Sequence, residues 1–294
     1  MIFSVAQIWR YPVKSFAGEQ IDMAAVSQNG IPYDRYWAVR DVERKDILSA
    51  RQVGVLMQFS ARFNGPPMEG HVEADITFPS GDVISTRDPG LDQRLSDVLD
   101  REVTLSAVRP ETDDVYYKRE APPEVTPDTL RSDFGLEADE PLDNFAAQTD
   151  AEQGYADLWM QYRSRPGTHF DTSALHILTE ASLDHMQRLV PDAVVDVRRY
   201  RPNILLAHEA SVEGPVEFDW VNQSLKIGGA EFVVTCKTIR CVMSTREQGE
   251  LPRAAKLMRA LVKNTEQRLG VSAEVRTPGQ IKVGDQLEQI GGSL

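Results

Sequence analysis

Short strand-like segments outnumber helical ones along this chain, and the two kinds do not alternate. Strands are predicted where short apolar or alternating runs are bounded by Gly, Pro or Asp, at residues 2–8, 36–40, 103–108, 203–207, 225–227, 231–236 and 280–290. Helices are predicted where apolar residues recur at helical spacing, over residues 91–99, 179–190 and 251–269. Regular alternation would indicate a Rossmann arrangement, so this order predicts an α+β, β-rich fold instead.

An acidic, proline-rich stretch divides these elements into two groups. Residues 110–144 are dense in Asp, Glu and Pro and show no sustained periodicity. Such a composition is typical of a solvated connector. Beyond it, Gly228-Gly229 is typical of a hairpin turn between two strands. We therefore expect two foldable regions on either side of the connector.

Charge and cysteine content exclude several classes of function. The 32 Lys and Arg against 45 Asp and Glu give a net charge of −13, whereas nucleic-acid binding needs an excess of cations. A local basic pocket remains compatible with this charge. The two cysteines, Cys236 and Cys241, are too few for an iron–sulfur cluster or a disulfide framework, so another protein would have to deliver any electrons.

The sequence also predicts where the chain acts. The apolar run near residue 1 is too short for a signal peptide, and no apolar run in the sequence approaches the length of a membrane span. We expect a cytoplasmic protein with neither a nucleic-acid nor a membrane partner. The reducing cytosol favours two free thiols over a disulfide.

Five short segments join cationic, hydroxyl and thiol groups to tight turns. They are Tyr11-Pro12-Val13-Lys14-Ser15, Asp34-Arg35-Tyr36-Trp37, Asp171-Thr172-Ser173, Arg199-Tyr200-Arg201-Pro202-Asn203 and Ile239-Arg240-Cys241. Taken singly, each allows an ordinary interpretation, such as an ion-paired surface residue for Lys14 or a small core residue for Cys241. The histidines lack the spacing of a zinc site, and no G-x-S-x-G motif supports a serine hydrolase.

Together these segments resemble the MOSC family, the molybdenum-cofactor sulfurase C-terminal domain proteins. The MOSC signatures are HILTEASL, RYRPN, RC and TPGQIKVGD, in that order. YPVKS and DRYW, which precede them, are similar to the N-terminal β-barrel domain of the amidoxime-reducing branch. The resemblance covers most of the chain. It implies an N-terminal β-barrel-like domain over residues 1–118, the connector over 119–146 and a MOSC β-barrel-like domain over 147–294.

The resemblance implies a site for the molybdenum cofactor, a pterin dithiolene that carries a phosphate. The implied cofactor-binding residues are Lys14, Ser15, Arg35, Asp171, Ser173, Arg201, Asn203, Arg240 and Cys241. Their chemistry suits that cofactor, because cationic and hydroxyl groups bind phosphate, a carboxylate accepts from pterin N–H groups, and molybdenum accepts a soft thiolate.

One cysteine is the implied metal ligand and catalytic residue. In the family the ligand follows arginine in the RC pair, which is Cys241 here, and the adjacent Arg240 would favour its thiolate. Cys236 has no matching role and is expected in the core. An odd separation also points two side chains to opposite faces of a continuous strand, so we expect that the two cysteines do not share one metal site.

The resemblance implies an oxidoreductase that removes oxygen from N-hydroxylated or N-oxide compounds. Its implied partners are a small-molecule substrate and an external reductase or ferredoxin-like electron donor; pyridoxal phosphate binding is a further implied family property. The alternative is a carrier of the molybdenum cofactor, or of a persulfide on Cys241. Residues 242–249 read VMSTREQG and lack the Asp-Pro pair usual in amidoxime-reducing members, so the substrate-side loop departs from that pattern.

Overall fold

The computed structural model describes residues 2–68, 70–142, 147–208 and 212–290. Its strands are β1 (Phe3–Arg10), β2 (Glu19–Ile21), β3 (Met23–Val26), β4 (Trp37–Asp41), β5 (Asp46–Ile47), β6 (Ser60–Phe63), β7 (Ala74–Thr77), β8 (Val83–Ser85), β9 (Val103–Ala107), β10 (Leu175–Thr179), β11 (Ile204–His208), β12 (Ser224–Ile227), β13 (Ala230–Ile239), β14 (Arg268–Thr277), β15 (Gly279–Lys282) and β16 (Leu287–Ile290). Its α-helices are α1 (Leu91–Leu99), α2 (Asp114–Tyr117), α3 (Pro127–Phe134), α4 (Asp150–Gln161), α5 (Glu180–Leu189), α6 (Val197–Tyr200) and α7 (Ala255–Thr265).

One large sheet of eight strands organises the fold. Its strand order is β16-β12-β13-β14-β10-β11-β1-β2, and only the β10–β11 pair within it is parallel. Two three-stranded sheets, β5-β4-β9 and β6-β7-β8, and the pair β15-β3 complete the described strands. The predicted α+β, β-rich class is confirmed.

Alternating side chains cover both faces of the large sheet. Ile204 and Leu206 of β11 belong to one apolar cluster. Leu205 between them belongs to another, which includes Met186 of α5 and Leu257 of α7. This follows from the two-residue period of a strand, which sends successive side chains to opposite faces. Helices therefore pack on one face while apolar residues of other strands pack on the other.

The segment at residues 11–17 connects the large sheet to the small ones. Val13 bridges to Trp37 of β4, and Ala17 bridges to Ser60 of β6. Strand pairing also crosses the predicted domain boundary, because β1 pairs with β11 and β3 pairs with β15. The domain bounds stay a prediction, and the sheets draw strands from both sides of them.

The connector is partly helical. Thr126 begins α3 with a reciprocal capping box to Thr129, and Gly135 ends it in the left-handed conformation at φ 71°. A short polar cap of this kind satisfies the free amide groups of a first turn. Residues 143–146 of the predicted connector lie outside the described residues.

Two predicted elements are shorter than expected. The helix predicted over residues 251–269 is α7 alone, because Glu266 and Gln267 adopt left-handed backbone angles and Arg268 then starts β14 by pairing with Ile239 of β13. The strand predicted over 280–290 divides into β15 and β16 at the turn containing Gly284, whose φ is 90°. The predicted hairpin turn at Gly228-Gly229 does join β12 and β13. In the part of the chain that the structure describes, none of the helices has the length and apolar character needed to cross a bilayer.

Candidate functional site

All nine predicted site residues line a single cavity of about 500 Å³. The cavity lies against strands β10, β13 and β14, where His176, Ser272 and Cys236 are cross-strand neighbours. The site segments surround it: residues 14–15 and 35 from the N-terminal part, 171–173 before β10, 199–203 before β11 and 240–241 after β13. Segments far apart in the sequence therefore meet at one place.

Three of the site residues have an uncommon backbone conformation. Ser15, Arg35 and Arg201 have positive φ angles of 69°, 52° and 54°. Residues other than glycine rarely adopt this region, and they do so mostly where the surrounding structure holds them, often at functional sites. Arg201 adopts it at the end of α6, where Pro202 follows and prevents the helix from continuing. The backbone thus turns sharply at three points on the cavity wall.

The buried carboxylate of Asp34 ties three of these segments together. Its Oδ1 accepts a 2.8 Å hydrogen bond from the backbone N–H of Tyr11, and its Oδ2 accepts one of 2.9 Å from the amide of Asn203. The same oxygen accepts from the guanidinium of Arg35. A carboxylate shared among several donors fixes their relative positions.

Lys14, which is buried, and Asp171, which is half-exposed, form an ion pair at one end of the cavity. Lys14 Nζ donates to Asp171 Oδ1 and to the backbone carbonyl of His169, both at 2.7 Å. Arg51 lies 3.7 Å from the same Asp171 oxygen. Burial lowers the pKa of Lys14, although Asp171 opposes that shift. Because an ammonium has three N–H donors, one of those on Lys14 is left for a ligand.

Two guanidinium groups stack on the ring of Tyr11. The Arg201 guanidinium lies 4.1 Å from the ring centroid and that of Arg35 lies 4.9 Å from it. Arg201 also donates to the carbonyl of Phe16 at 2.5 Å, and burial lowers its pKa to about 10. Cation–π contacts orient such side chains at little conformational cost. Tyr11 therefore fixes two cations on the cavity wall.

Arg240 and Cys241 follow directly after β13. The Arg240 guanidinium donates to the carbonyl of Tyr200 at 2.7 Å. The backbone N–H of Arg240 donates to the carbonyl of Gln267, and the Arg240 carbonyl accepts from the side-chain amide of Gln267. Cys241 is half-buried and begins a 3₁₀ turn over Val242–Thr245. Three arginines lie near enough to Cys241 for a negative charge on its sulfur to act to raise their pKa values; these are Arg51, Arg240 and Arg246.

Cys236 and Cys241 both contribute to the cavity lining. They can do so because β13 ends at Ile239 and its alternation is shifted between Lys237 and Ile239. Cys236 and Cys241 therefore do not stand on one continuous strand, and that they do not share a metal site stays a prediction. Cys236 is buried, and burial raises its pKa to about 11, which keeps it a thiol at neutral pH. Metal ligation requires the thiolate.

The remaining predicted polar residues are partly engaged within the protein. Ser15 Oγ accepts from the backbone N–H of Ala50 at 3.0 Å, and Ser173 Oγ donates to the carbonyl of Leu175 at 3.0 Å. Each hydroxyl keeps a further donor or acceptor position. The side-chain NH₂ of Asn203 donates to Asp34, and its side-chain oxygen accepts from the backbone N–H of His176. A contact from Asn203 to a cofactor stays a prediction.

The cavity concentrates positive charge in an acidic protein. Its described lining residues include eight cationic side chains and two acidic ones, Glu152 and Asp171. The neighbouring histidines add no charge, because burial lowers the pKa values of both His169 and His176 to about 3. The basic pocket that the overall charge left open is therefore present.

Several contributors to the cavity were not predicted from the sequence, among them Arg51 and the helices α3 and α4. Arg51 belongs to none of the five segments, and it reaches Asp171 because Ser15 and Arg246 hold residues 50–51 by hydrogen bonds. Helix α4 was not predicted either. A signal for it exists, since Thr149 caps the helix three residues before Glu152, a typical capping-box spacing.

We expect the Asp171 carboxylate to stabilise the fold in a pH-dependent way. Desolvation acts to raise its pKa, but Lys14 and Arg51 outweigh that effect and hold the pKa well below its usual range. The stabilisation is therefore fully present above the ordinary carboxyl pKa of about 4 and is lost gradually as pH falls from there towards the lowered pKa of the folded protein. The urea midpoints of wild type and Asp171→Asn should differ at pH 7, and the difference should narrow as pH falls to about 3. A difference that does not change with pH would contradict this assignment.

The fold and the cavity define a β-rich protein whose pocket combines cations with a thiol. The sequence matches two family models, the MOSC N-terminal beta barrel domain over residues 2–105 and the MOSC domain over residues 161–288. The chain therefore belongs to the MOSC family, whose domain is known for its association with the molybdenum cofactor. The nine site residues all fall inside the matched ranges.

Solved structures give weaker likenesses. The YuaD protein from Bacillus subtilis is 10% identical, with 98% of this chain and 94% of that chain covered and a TM-score of 0.43. YiiM from Geobacillus stearothermophilus is 13% identical, with 40% and 55% covered and a TM-score of 0.30. No curated protein matches the sequence significantly. The family assignment rests on the two sequence models.

Proposed function

We propose that this chain holds the molybdenum cofactor in the cavity and uses it to reduce N-hydroxylated or N-oxide compounds. One observation carries the proposal: Cys241 and the cationic residues that match the family pattern line the same cavity. The electrons would come from a separate reductase or ferredoxin-like protein, because two cysteines cannot hold an iron–sulfur cluster of the usual kind.

The hydrogen-bond donors of the cavity suit an anionic pterin. Arg201 Nη2, Arg240 Nε and the hydroxyl of Tyr200 are buried and have no hydrogen-bond partner within the described residues. Leaving such a group unpaired costs about 1–3 kcal/mol, which phosphate or pterin acceptors would recover. Among those same residues, no cluster of three or more His, Cys, Asp or Glu could hold a metal unaided. Molybdenum would be held by the dithiolene together with Cys241.

The chain's own residues would bind and orient the reacting groups. When bound, the cofactor supplies the acceptor for the substrate oxygen and the two electrons that the reduction consumes. Cys241 would ligate the metal, and the three nearby guanidinium groups would stabilise its thiolate. His169 and His176 stay neutral at pH 7 and do not act as acids there.

Pyridoxal phosphate does not fit the cavity's lysines. That cofactor needs an amine free to form a Schiff base. Lys14 is held by Asp171 and the carbonyl of His169, and the ammonium of Lys237 lies 4.9 Å from the ring centroid of Phe218. The proposal therefore includes the molybdenum cofactor alone.

The test is turnover by molybdenum-loaded protein, with reduced methyl viologen as an artificial electron donor and hydroxylamine as substrate. We expect ammonia and water to form, with two electrons consumed for each N–O bond cleaved. Bound molybdenum without turnover would contradict the enzymatic role. That result is the one expected of a cofactor carrier.

A further inference from the structure

The cavity has an apolar wall opposite its cationic one. Leu130 and Phe134 of α3 contribute to it, as do Tyr155, Trp159 and Met160 of α4. A phosphate-bearing pterin would occupy the cationic side, and it gives no reason for large apolar side chains on the other. Apolar surface of this kind is favourable only when something covers it.

One face of α4 is turned towards the cavity. Tyr155 and Trp159 are four residues apart, as are Ala156 and Met160, so these two pairs lie side by side on the helix. None of the α4 residues is fully buried in the protein. The helix therefore presents its aromatic and aliphatic side chains to the open space of the cavity.

Hydrogen bonds hold α4 in place over the large sheet. The hydroxyl of Tyr155 donates to Glu274 of β14 at 3.1 Å, and Arg268 of β14 lies 3.3 Å from Glu152. Near the end of the helix, Arg119 donates to the carbonyl of Trp159 at 3.0 Å. These contacts make the helix a fixed wall, and a fixed wall discriminates between ligands better than a mobile one.

Helix α3 lies beside the turn that follows Cys241. It packs on the 3₁₀ turn that follows Cys241, where a Cβ at Gly135 would stand 3.1 Å from Val242. Met243 of the same turn lines the cavity together with Leu130 and Phe134. The apolar wall thus adjoins the residue proposed to hold the metal.

Neither matched domain supplies this wall. The two family models end at residue 105 and begin again at residue 161, and α3 together with nearly all of α4 lies between them. The apolar wall is therefore a feature of this chain beyond the matched domains. It is a natural place for substrate selection, because the cofactor residues belong to the matched parts.

We propose that Leu130, Phe134, Trp159 and Met160 form an apolar subsite that holds the aromatic body of the substrate while its N–O group faces Cys241. This inference rests on the proposed function. The excess of cations around the cavity disfavours positively charged substrates. The subsite would therefore select neutral aromatic hydroxylamines over small or cationic ones.

The experiment compares N-phenylhydroxylamine with hydroxylamine, which differ by one phenyl ring, on molybdenum-loaded protein with reduced methyl viologen. Trp159→Ala should lower the ratio of their kcat/KM values about tenfold, because the ring loses its aromatic contact. Trp159→Phe should restore most of the ratio. Asp157→Ala, at an exposed position of α4 outside the cavity lining, is the matched control and should leave the ratio unchanged.

A binding measurement separates the subsite from the reaction. Benzamide is aromatic and neutral and has no N–O bond to reduce, so calorimetry on the loaded protein reports binding alone. Its dissociation constant should rise about tenfold in Trp159→Ala, which corresponds to about 1.4 kcal/mol. An unchanged substrate ratio with unchanged benzamide binding, in a variant with wild-type circular dichroism, would overturn the subsite while the proposed reaction stood. No turnover of either substrate by wild type would overturn both.

Discussion

Replacing Cys241 with serine should abolish reduction of N-hydroxylated substrates and lower bound molybdenum about tenfold or more. Serine keeps the size of the side chain and removes the soft thiolate that molybdenum accepts. Cys241 is half-buried and lies near three arginines, whose pKa values a charge on its sulfur would act to raise. The change therefore removes the ligand while its surroundings remain. Metal content by elemental analysis and turnover with reduced methyl viologen measure the two effects.

Cys236→Ser is the matched control. Cys236 lines the same cavity, but it is buried and burial raises its pKa to about 11. We expect this variant to keep its molybdenum and most of its activity. Loss of molybdenum in Cys236→Ser together with its retention in Cys241→Ser would reverse the assignment of the metal ligand.

Replacing Arg201 with methionine should release the cofactor from a chain that still folds. Arg201 is buried over the ring of Tyr11, with one nitrogen donating to Phe16 and another without a partner. A hydrogen bond to a charged group contributes about 1.5–3 kcal/mol, so losing it should weaken cofactor retention by about tenfold to a hundredfold. The measurement is phosphorus and molybdenum bound per chain after gel filtration, with thermal unfolding as the check on folding.

Two further variants test whether the loss of cofactor is specific to the guanidinium of Arg201. Arg201→Lys keeps the charge but loses the planar fork of donors, so we expect intermediate retention. Arg94→Met removes a half-exposed guanidinium that pairs with Asp82; neither residue lines the cavity, so this variant should leave retention unchanged. Full cofactor retention in a folded Arg201→Met protein would show that this residue does not anchor the cofactor.

The nine predicted site residues could be named from the sequence because the short segments that hold them together resemble the MOSC signatures. No single segment was sufficient, and the structure places Lys14, Arg201 and Cys241 of three such segments in one cavity. Arg51 carries no motif. It enters the cavity because Ser15 and Arg246 hold its backbone, and such contacts between distant segments leave no local trace in the sequence.

The helices and strands divide in the same way: those with a local sequence signal were predictable, and those set by contacts between distant segments were not. The hairpin turn at Gly228-Gly229 has such a local signal, and it was predicted correctly. The end of α7 was not, because Leu269 continues the helical spacing while pairing between β13 and β14 draws that region into the sheet. The pairing of β1 with β11 was equally hidden, since strand register is set by partners distant in sequence.

The central claim is that this cavity holds the molybdenum cofactor. The most direct measurement is molybdenum and phosphorus content of the wild-type protein purified from a host able to make the cofactor, beside a known molybdenum enzyme produced in the same host. We predict near-stoichiometric molybdenum in both. A loaded reference enzyme beside a chain without molybdenum would contradict the claim, and a labile sulfur on Cys241 would then favour the persulfide carrier.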